Sequence, residues 1–562
     1  MTTSRTPWEE LYPPTVPVDL SGDHRSMLAA WDHHVRTRPE APSVHHFDVT
    51  LTFAAVDRAA DALACGLIEH GLRPGDRVAI YLQNDPQWLV TMLAAWKSGA
   101  VPVAINPMLR EAELAHHLAD SSPSALVCLG SLYDDVVTAV LAEVPVATVV
   151  TTHPLDLTPD ARVPAAVATH VGERGEHAGA LQWRALLSRH DGRRPDPVDL
   201  GPQDIGALTY TSGTTGRSKG AMNLHRSMVH SSTVFTSWWD LRPDRDVVLG
   251  IAPLFHITGL VAGLGAHVVS GAPVVLLHRF DAETTLRAID QWGATFTVAA
   301  STAFIALSNH PALSEVDVST LTKTPSGGAA VSQALVDRVR AATGWRLHGA
   351  YGMTETTSPT HLGPVDVAAP VDPESGALAV GVPVPGARVR IVDPDSGRDL
   401  GPGGVGEIVV SGPMVVPGYW GLPEESAHAV RDGWLHTGDV GTTTEDGWLF
   451  VVDRLKDMIN AGGYKIFPRD VEDVLYQHPA VREASVVGVP DEYRGETVKA
   501  FVSLVPGAAA TPQELMEFCR ERMAAYKYPR AVEILSELPK TLSGKVLRRE
   551  LRGESAPQGR GD

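Results

Sequence analysis

Short apolar runs alternate with stretches of helical spacing along this chain, and that alternation restricts the fold more than any other feature. Val56 to His70 carries apolar residues at helical intervals and stops before Gly71. Arg77-Val78-Ala79-Ile80-Tyr81-Leu82 reads as a strand, Trp88 to Lys97 as a helix, and Gly99-Ala100-Val101-Pro102-Val103 turns into a further strand. More strand-like runs lie near Ala125–Cys128, Pro145–Thr151, Val274–Leu277 and Thr295–Ala300. Strands separated by helices predict parallel sheets of the α/β class. From about Gly386 the pattern changes to short strands between Gly, Pro and Asp turns (Val389–Val392, Gly406–Ser411, Trp448–Val452), which predicts a small β-rich unit.

With 562 residues the chain exceeds what one core can organise. Residues 191–204, rich in Asp, Arg and Pro, read as a linker, and a new mix of strands and helices follows Arg454. The expected division is a large domain over 1–454, a small α+β domain over 455–552, and a disordered tail over 553–562.

Val247 to His278 contains no Asp, Glu, Lys or Arg, yet Pro253, His256, Pro273 and five glycines interrupt it. We read it as a buried strand–loop–helix–strand rather than a membrane span. Gly263, Gly265 and Val268 form a broken dinucleotide fingerprint lacking its third glycine. A formal net charge of −19 argues against nucleic acid or anionic membrane as a partner. Cys65, Cys128 and Cys519 lie far apart, which excludes a disulfide framework and fits a reducing cytoplasm. The N-terminus MTTSRTPWEELYPP has no apolar signal core. No HExxH spacing occurs, so catalytic zinc is not expected, and the pair His116-His117 reads as a helix surface.

The segment Tyr210 to Gly220, YTSGTTGRSKG, follows the apolar run Ile205–Leu208 and combines five Ser/Thr hydroxyls, three glycines and a lysine. Glycines bring backbone N–H groups close to a ligand, hydroxyls donate to phosphate oxygens, and Lys219 adds a point charge. This is what a polyphosphate cradle requires. The GxxxxGK spacing of a Walker loop is absent, which disfavours a P-loop NTPase.

YTSGTTGRSKG resembles the signature of the adenylate-forming superfamily, which includes acyl-CoA synthetases, luciferases and peptide-synthetase adenylation domains. The resemblance continues in order. Pro253-Leu254-Phe255-His256-Ile257-Thr258-Gly259 is similar to the segment beside the acyl site, and Gly327-Gly328-Ala329-Ala330 to the adenine loop. Tyr351-Gly352-Met353-Thr354-Glu355 resembles the adenine, phosphate and magnesium motif. Glu407 lies in the GEI element, Thr437-Gly438-Asp439 in the ribose motif, and Asp453-Arg454-Leu455-Lys456-Asp457 in the hinge. Pro539-Lys540-Thr541-Leu542-Ser543-Gly544-Lys545 is similar to the last motif, with Lys545 at the catalytic lysine. Ser218 stands where the usual pattern has proline.

The resemblance implies ATP-dependent activation of a carboxylic acid to an acyl-adenylate, then transfer to the thiol of coenzyme A. A carrier-protein thiol, an amine or another small nucleophile is the alternative acceptor. It implies Lys545 bridging carboxylate and α-phosphate, Glu355 holding Mg2+, and Thr354 with Thr211, Ser212, Gly213, Thr214, Thr215, Gly216 and Lys219 holding phosphates. Gly328, Ala329, Ala330, Tyr351 and Gly352 would line the adenine, while Asp439 and Arg454 would take the ribose. After adenylation the small domain would rotate at Lys456, and Gly462, Gly463 and Tyr464, with Lys465, would line the thiol tunnel. A non-catalytic binding module is disfavoured because Lys219, Glu355, Asp439 and Lys545 are all present. A homodimer is left open by analogy.

For the acid, the resemblance points to His256, Thr302, Phe304 and Gly328. Ser301 and Ala303 depart from the common Val-Pro-Thr-Met-Tyr segment, and Ala303 leaves more room than methionine. No basic residue there awaits a second carboxylate, so a medium- or long-chain fatty acid is the expected substrate, with an aromatic acid next. Gly349 stands where many relatives have a polar contact to adenine. A backbone group, His348, or a looser grip on the base would compensate.

Overall fold

The computed structural model describes residues 6–20, 22, 24–211, 217–328, 331–373, 377–461, 464–491, 495–540 and 546–553. A seven-stranded sheet runs in the order Leu181–Gln182, Thr148–Thr152, Ala125–Leu129, Arg77–Tyr81, Val101–Ala104, Ile205–Tyr210, Gly220–Leu224. Every pairing is parallel except the last, an antiparallel hairpin.

Successive strand residues face opposite sides, and here both sides are apolar. Val78, Ile80, Val127 and Val150 enter the main core with the helices Phe53–Glu69 and Pro86–Lys97, whereas Ala79, Tyr81, Leu126 and Cys128 enter a second cluster under Glu111–Ser121. The helices are started locally: Thr52 Oγ1 accepts from the Ala55 N–H, and Pro86 occupies the first turn of its helix.

A second layer faces the same main core. Val248–Leu249, Val274–Leu276, Pro42–His46 and Val49–Thr52 form one sheet. Single bridges through Phe296 join it to the sheet Thr324–Gly327, Leu347–Met353, Ser358–Leu362, Val382–Pro383. Val274 and Leu276 point into the main core, while Val275 and Leu277 point outward under Ala282–Trp292 and Ser301–Ser308. The uncharged stretch 247–278 is the expected buried strand, turn, helix and strand. Gly263 and Gly265 lie inside its π-helical segment Gly259–Gly265, not in the strand-to-helix turn a dinucleotide loop needs. No described helix is long and apolar enough to cross a membrane.

The β-rich unit is an antiparallel five-stranded sheet, Arg388–Val392, Gly406–Ser411, Trp434–Thr443, Val430–Arg431 and Leu449–Arg454. Its longest strand, Trp434–Thr443, was not legible as a strand, because Gly438, Asp439 and Gly441 break the apolar run. Past the short turn Leu455–Asp457 a separate sheet begins with Ile459–Ala461 and Tyr464–Ile466, continues through Val481–Asp491 and Gly495–Leu504, and ends at Ala531–Ile534. It packs on Pro468–Tyr476 and Pro512–Arg520 around its own apolar cluster of Ile466, Val471, Leu475, Val486, Val502 and Leu515. The expected tail lies outside the described residues from 554 onward.

Candidate active site

The hairpin Ile205–Tyr210/Gly220–Leu224 carries the glycine- and hydroxyl-rich segment at its tip. The loop is closed at its neck: the Thr211 N–H donates to the Lys219 carbonyl (3.0 Å), and the Lys219 N–H donates to Thr211 Oγ1 (3.2 Å). Ser212, Gly213, Thr214, Thr215 and Gly216 lie outside the described residues. Ser218 is tied down twice. His116 Nε2 donates to its carbonyl (3.0 Å), and its hydroxyl is hydrogen-bonded to His117 Nε2 (2.7 Å). Tyr210 stacks on His117 at 3.9 Å and donates to Asp120 (2.6 Å). His117 is therefore not a helix-surface residue. It is buried, and burial pushes its imidazole down to about 3, so it stays neutral at ordinary pH. These contacts fix Ser218 at the position where the usual pattern has proline.

Glu355 is presented by a strained turn. The strand Leu347–Met353 runs into Thr354–Thr356 and returns as Ser358–Leu362, with Thr357 and Ser358 at φ of 48° and 84°. A Cβ on Gly352 would fall 1.8 Å from the Ser358 carbonyl oxygen, so only glycine allows the strands to come this close. Asn223 Nδ2 donates to the Thr354 carbonyl (3.2 Å) and to Thr357 Oγ1 (3.1 Å) and holds the turn. Thr354 and Glu355 are buried. Burial raises the Glu355 pKa, opposed by the Tyr419 hydroxyl, which donates to its carboxylate at 2.7 Å. The Lys219 ammonium lies 5.1 Å from the Tyr419 ring centroid and forms an ion pair with Glu425. Neither Tyr419 nor Glu425 was singled out from sequence.

Asp439 sits directly opposite Arg454 on paired antiparallel strands. Arg454 Nε approaches its carboxylate at 3.3 Å, and the Tyr351 hydroxyl donates to it at 2.8 Å. Burial, then the charge of Asp439, raises the Tyr351 pKa far above its usual value, so the phenol remains a donor. Glu407 accepts from the Gly438 N–H (3.1 Å) and is hydrogen-bonded to His436 (2.8 Å), which fixes the turn before Asp439. Three expected nucleotide residues, Tyr351, Asp439 and Arg454, thus meet in one place, and Glu355 lies near enough to feel the charges of Arg454 and Asp439.

The acyl side departs from expectation at Phe304. Helix Ser301–Ser308 turns Ser301, Phe304, Leu307 and Ser308 inward, as 3.6-residue spacing requires. Phe304 is fully buried, edge-on to Trp345 (6.2 Å), and belongs to the apolar core. Thr302 is half-buried with Ala303, Ile305 and Ala306 on the outward side, and Ile305 was not foreseen. His256 is half-buried in the turn before the π-helical segment, its Nδ1 accepting from the Thr258 N–H (3.3 Å). Gly328 adopts φ of 79°, and Ala329 and Ala330 lie outside the described residues. Gly349 is required by packing, because a Cβ there would fall 2.7 Å from the Val380 carbonyl oxygen. His348 does not stand in for it. It faces the opposite side of the strand from Tyr351, edge-on to Trp239 at 4.9 Å.

At the end of the β-rich unit Lys456 lies in the turn Leu455–Asp457, its side chain outside the described residues. Gly462, Gly463 and Lys545 also lie outside them, and Tyr464 begins the strand Tyr464–Ile466. Three residues past Lys545, Arg548 joins three carboxylates: Asp453 (3.0 Å), Asp457 (3.2 Å) and Glu472 (2.8 Å). The Asp453 carboxylate also accepts from the Arg469 N–H (3.0 Å). No motif reading pointed to Arg548.

The sequence matches the profile of the AMP-binding enzyme family over residues 31–420 and that of the AMP-binding enzyme C-terminal domain over 470–545. It is 35% identical to a long-chain-fatty-acid–CoA ligase of Bacillus subtilis (strain 168), with 98% of each chain covered. It is 37% identical to a feruloyl-CoA synthase of an Amycolatopsis species, covering 93% of this chain and 98% of that one. Among solved structures, ATP-bound MatB from Rhodopseudomonas palustris superposes with a TM-score of 0.83 at 28% identity, covering 94% of this chain and 98% of that one.

Proposed function

Because the chain belongs to the AMP-binding enzyme family, we propose that it is a fatty-acid–CoA ligase acting on medium- or long-chain acids. It is an AMP-forming acid–thiol ligase that activates a carboxylic acid with ATP and transfers the acyl group to coenzyme A. The observation that carries the site assignment is the contact of Asp439 with Tyr351 and Arg454, close to Glu355, which is tied through Tyr419 to Lys219 at the neck of the hydroxyl-rich loop.

A carboxylate and ATP repel each other, and charge builds on the phosphoryl oxygens as the carboxylate attacks the α-phosphorus. Donors fixed where that charge develops lower the barrier. In this reading the Thr211–Lys219 loop and Thr354 hold the phosphates. Asp439 accepts both ribose hydroxyls, Arg454 orients it, and the ring of Tyr351 lies along the adenine. Lys545 supplies the ammonium that bridges carboxylate and α-phosphate. Glu355 fits a hard divalent cation: its carboxylate is buried, and among the described residues no Lys, Arg or His lies within ion-pair distance of it. Mg2+ held there would neutralise polyphosphate charge.

We assign 1–454 to the adenylate-forming unit and 455–552 to the lobe that carries Lys545. Rotation at Lys456 then withdraws the ammonium and brings the Gly462–Tyr464 segment to the thiol, and the reaction is placed in the cytoplasm. The acid class is supported by the uncharged outward face of helix Ser301–Ser308, made of Thr302, Ala303, Ile305 and Ala306, and by the fatty-acid relatives. The test incubates enzyme, ATP and coenzyme A with fatty and aromatic acids, scoring AMP and thioester. We expect C8–C18 acids to be preferred on the order of tenfold or more, as methylene burial dictates. A preference for aromatic acids would overturn the acid class. AMP without a CoA thioester would overturn the acceptor.

A further inference from the structure

The segment Val416–Trp420 braces two parts of the site at once. The Val416 N–H donates to the Glu355 carbonyl (2.9 Å), the Met222 N–H to the Gly418 carbonyl (3.1 Å), and the Trp420 N–H to the Gly220 carbonyl (2.8 Å). One stretch of backbone is thus bonded both to the turn that presents Glu355 and to the strand that leaves the phosphate loop. Tyr419 lies within this brace, buried, its own N–H donating to Ser426 Oγ (2.8 Å). Its side chain repeats the connection chemically. The hydroxyl donates to Glu355 Oε1 at 2.7 Å, and the ring takes the Lys219 ammonium at 5.1 Å. None of the sequence motifs named above includes it.

We propose that Tyr419 is a positioning residue of the nucleotide site: its hydroxyl fixes the Glu355 carboxylate, which would hold the metal, and its ring seats Lys219, which would meet phosphate. The inference rests on the assignment of Glu355 and Lys219 to metal and phosphate. A hydrogen bond from a buried hydroxyl fixes a carboxylate's orientation, and an aromatic face attracts an ammonium group without neutralising it. Glu425, half-exposed, pairs with Lys219 and is the anion that a phosphate would replace.

Tyr419→Phe removes the hydroxyl and keeps the ring. Calorimetric titration with Mg2+ and α,β-methylene-ATP, which cannot be cleaved at the α–β bond, should show binding weakened about tenfold, the scale of one hydrogen bond to a charged group. KM for Mg·ATP in pyrophosphate exchange should rise by the same factor with kcat within about twofold. In a Glu355→Gln background the same change should add nothing. Unchanged binding by Tyr419→Phe, or an equal loss in the Glu355→Gln background, would overturn the proposal. Native Mg·nucleotide binding by Glu355→Gln alone would overturn the metal assignment itself, whatever the tyrosine variant does. Glu425→Gln should tighten nucleotide binding by about two- to fivefold, since a half-exposed ion pair is weak, and weaker binding there would also count against the arrangement.

Discussion

Replacing Arg548 with alanine should loosen the C-terminal lobe in a pH-dependent way. The Arg548 side chain is only 20% exposed and faces Asp453, Asp457 and Glu472, whose side chains are 3%, 10% and 13% exposed. Burial already raises the Glu472 pKa even with the guanidinium in place. Removing the cation leaves Asp453 and Glu472 without their guanidinium in a half-dry site, while Asp457 keeps Arg552 (3.1 Å). Breaking a buried pair costs about 3–5 kcal/mol, and we take the low end because part of the guanidinium remains wet. The sign follows from Glu472. A carboxyl whose folded-state pKa lies above its ordinary value of 4.5 binds protons more tightly in the folded protein. Its contribution is fully favourable below that value and is lost as pH rises through the folded-state pKa. The variant raises that pKa further, so the loss should be about 3 kcal/mol at pH 8 and clearly smaller at pH 5. Tryptophan fluorescence would miss this, because no tryptophan lies beyond Trp448. Hydrogen exchange of strands Val481–Asp491 and Gly495–Leu504, followed by mass spectrometry at both pH values, reads it directly. A loss below about 1 kcal/mol at pH 8, or one equal at both pH values, would refute the three-carboxylate account.

Lys545→Ala should cut adenylation by orders of magnitude while leaving the fold intact, and near-normal ATP–pyrophosphate exchange would refute the assignment. Lys456→Pro should spare adenylation and impair thioester formation, because proline restricts φ at the proposed pivot, and equal loss of both steps would contradict it. Phe304→Ala should cost about 3–5 kcal/mol in thermal or urea unfolding without changing chain-length preference, since the ring belongs to the core. Ala303→Trp, on the outward face of the same helix, should instead lower kcat/KM for long acids more than for short ones, and a uniform effect would place the acyl chain elsewhere.

Local patterning decided a good deal of this protein in advance. Parallel α/β layers follow from apolar runs flanked by helical spacing, because strand and helix periods are properties of neighbouring residues. The segment proposed as the phosphate cradle could be singled out for the same reason: a loop that wraps an anion with its own N–H and hydroxyl groups has to be contiguous. What the tertiary structure decided is which distant side chains touch. Tyr419 and Glu355 are 64 residues apart, Tyr351 and Asp439 88, Arg548 and Asp453 95. A lone tyrosine or arginine carries no periodic signal, so these pairings exist only once strands have been set side by side. The same holds for Phe304 and His117, whose burial depends on which helix face meets the sheet. Chemistry borne by a contiguous segment can be read before folding, whereas chemistry that depends on who stands opposite whom cannot, because packing, not sequence order, makes the neighbours.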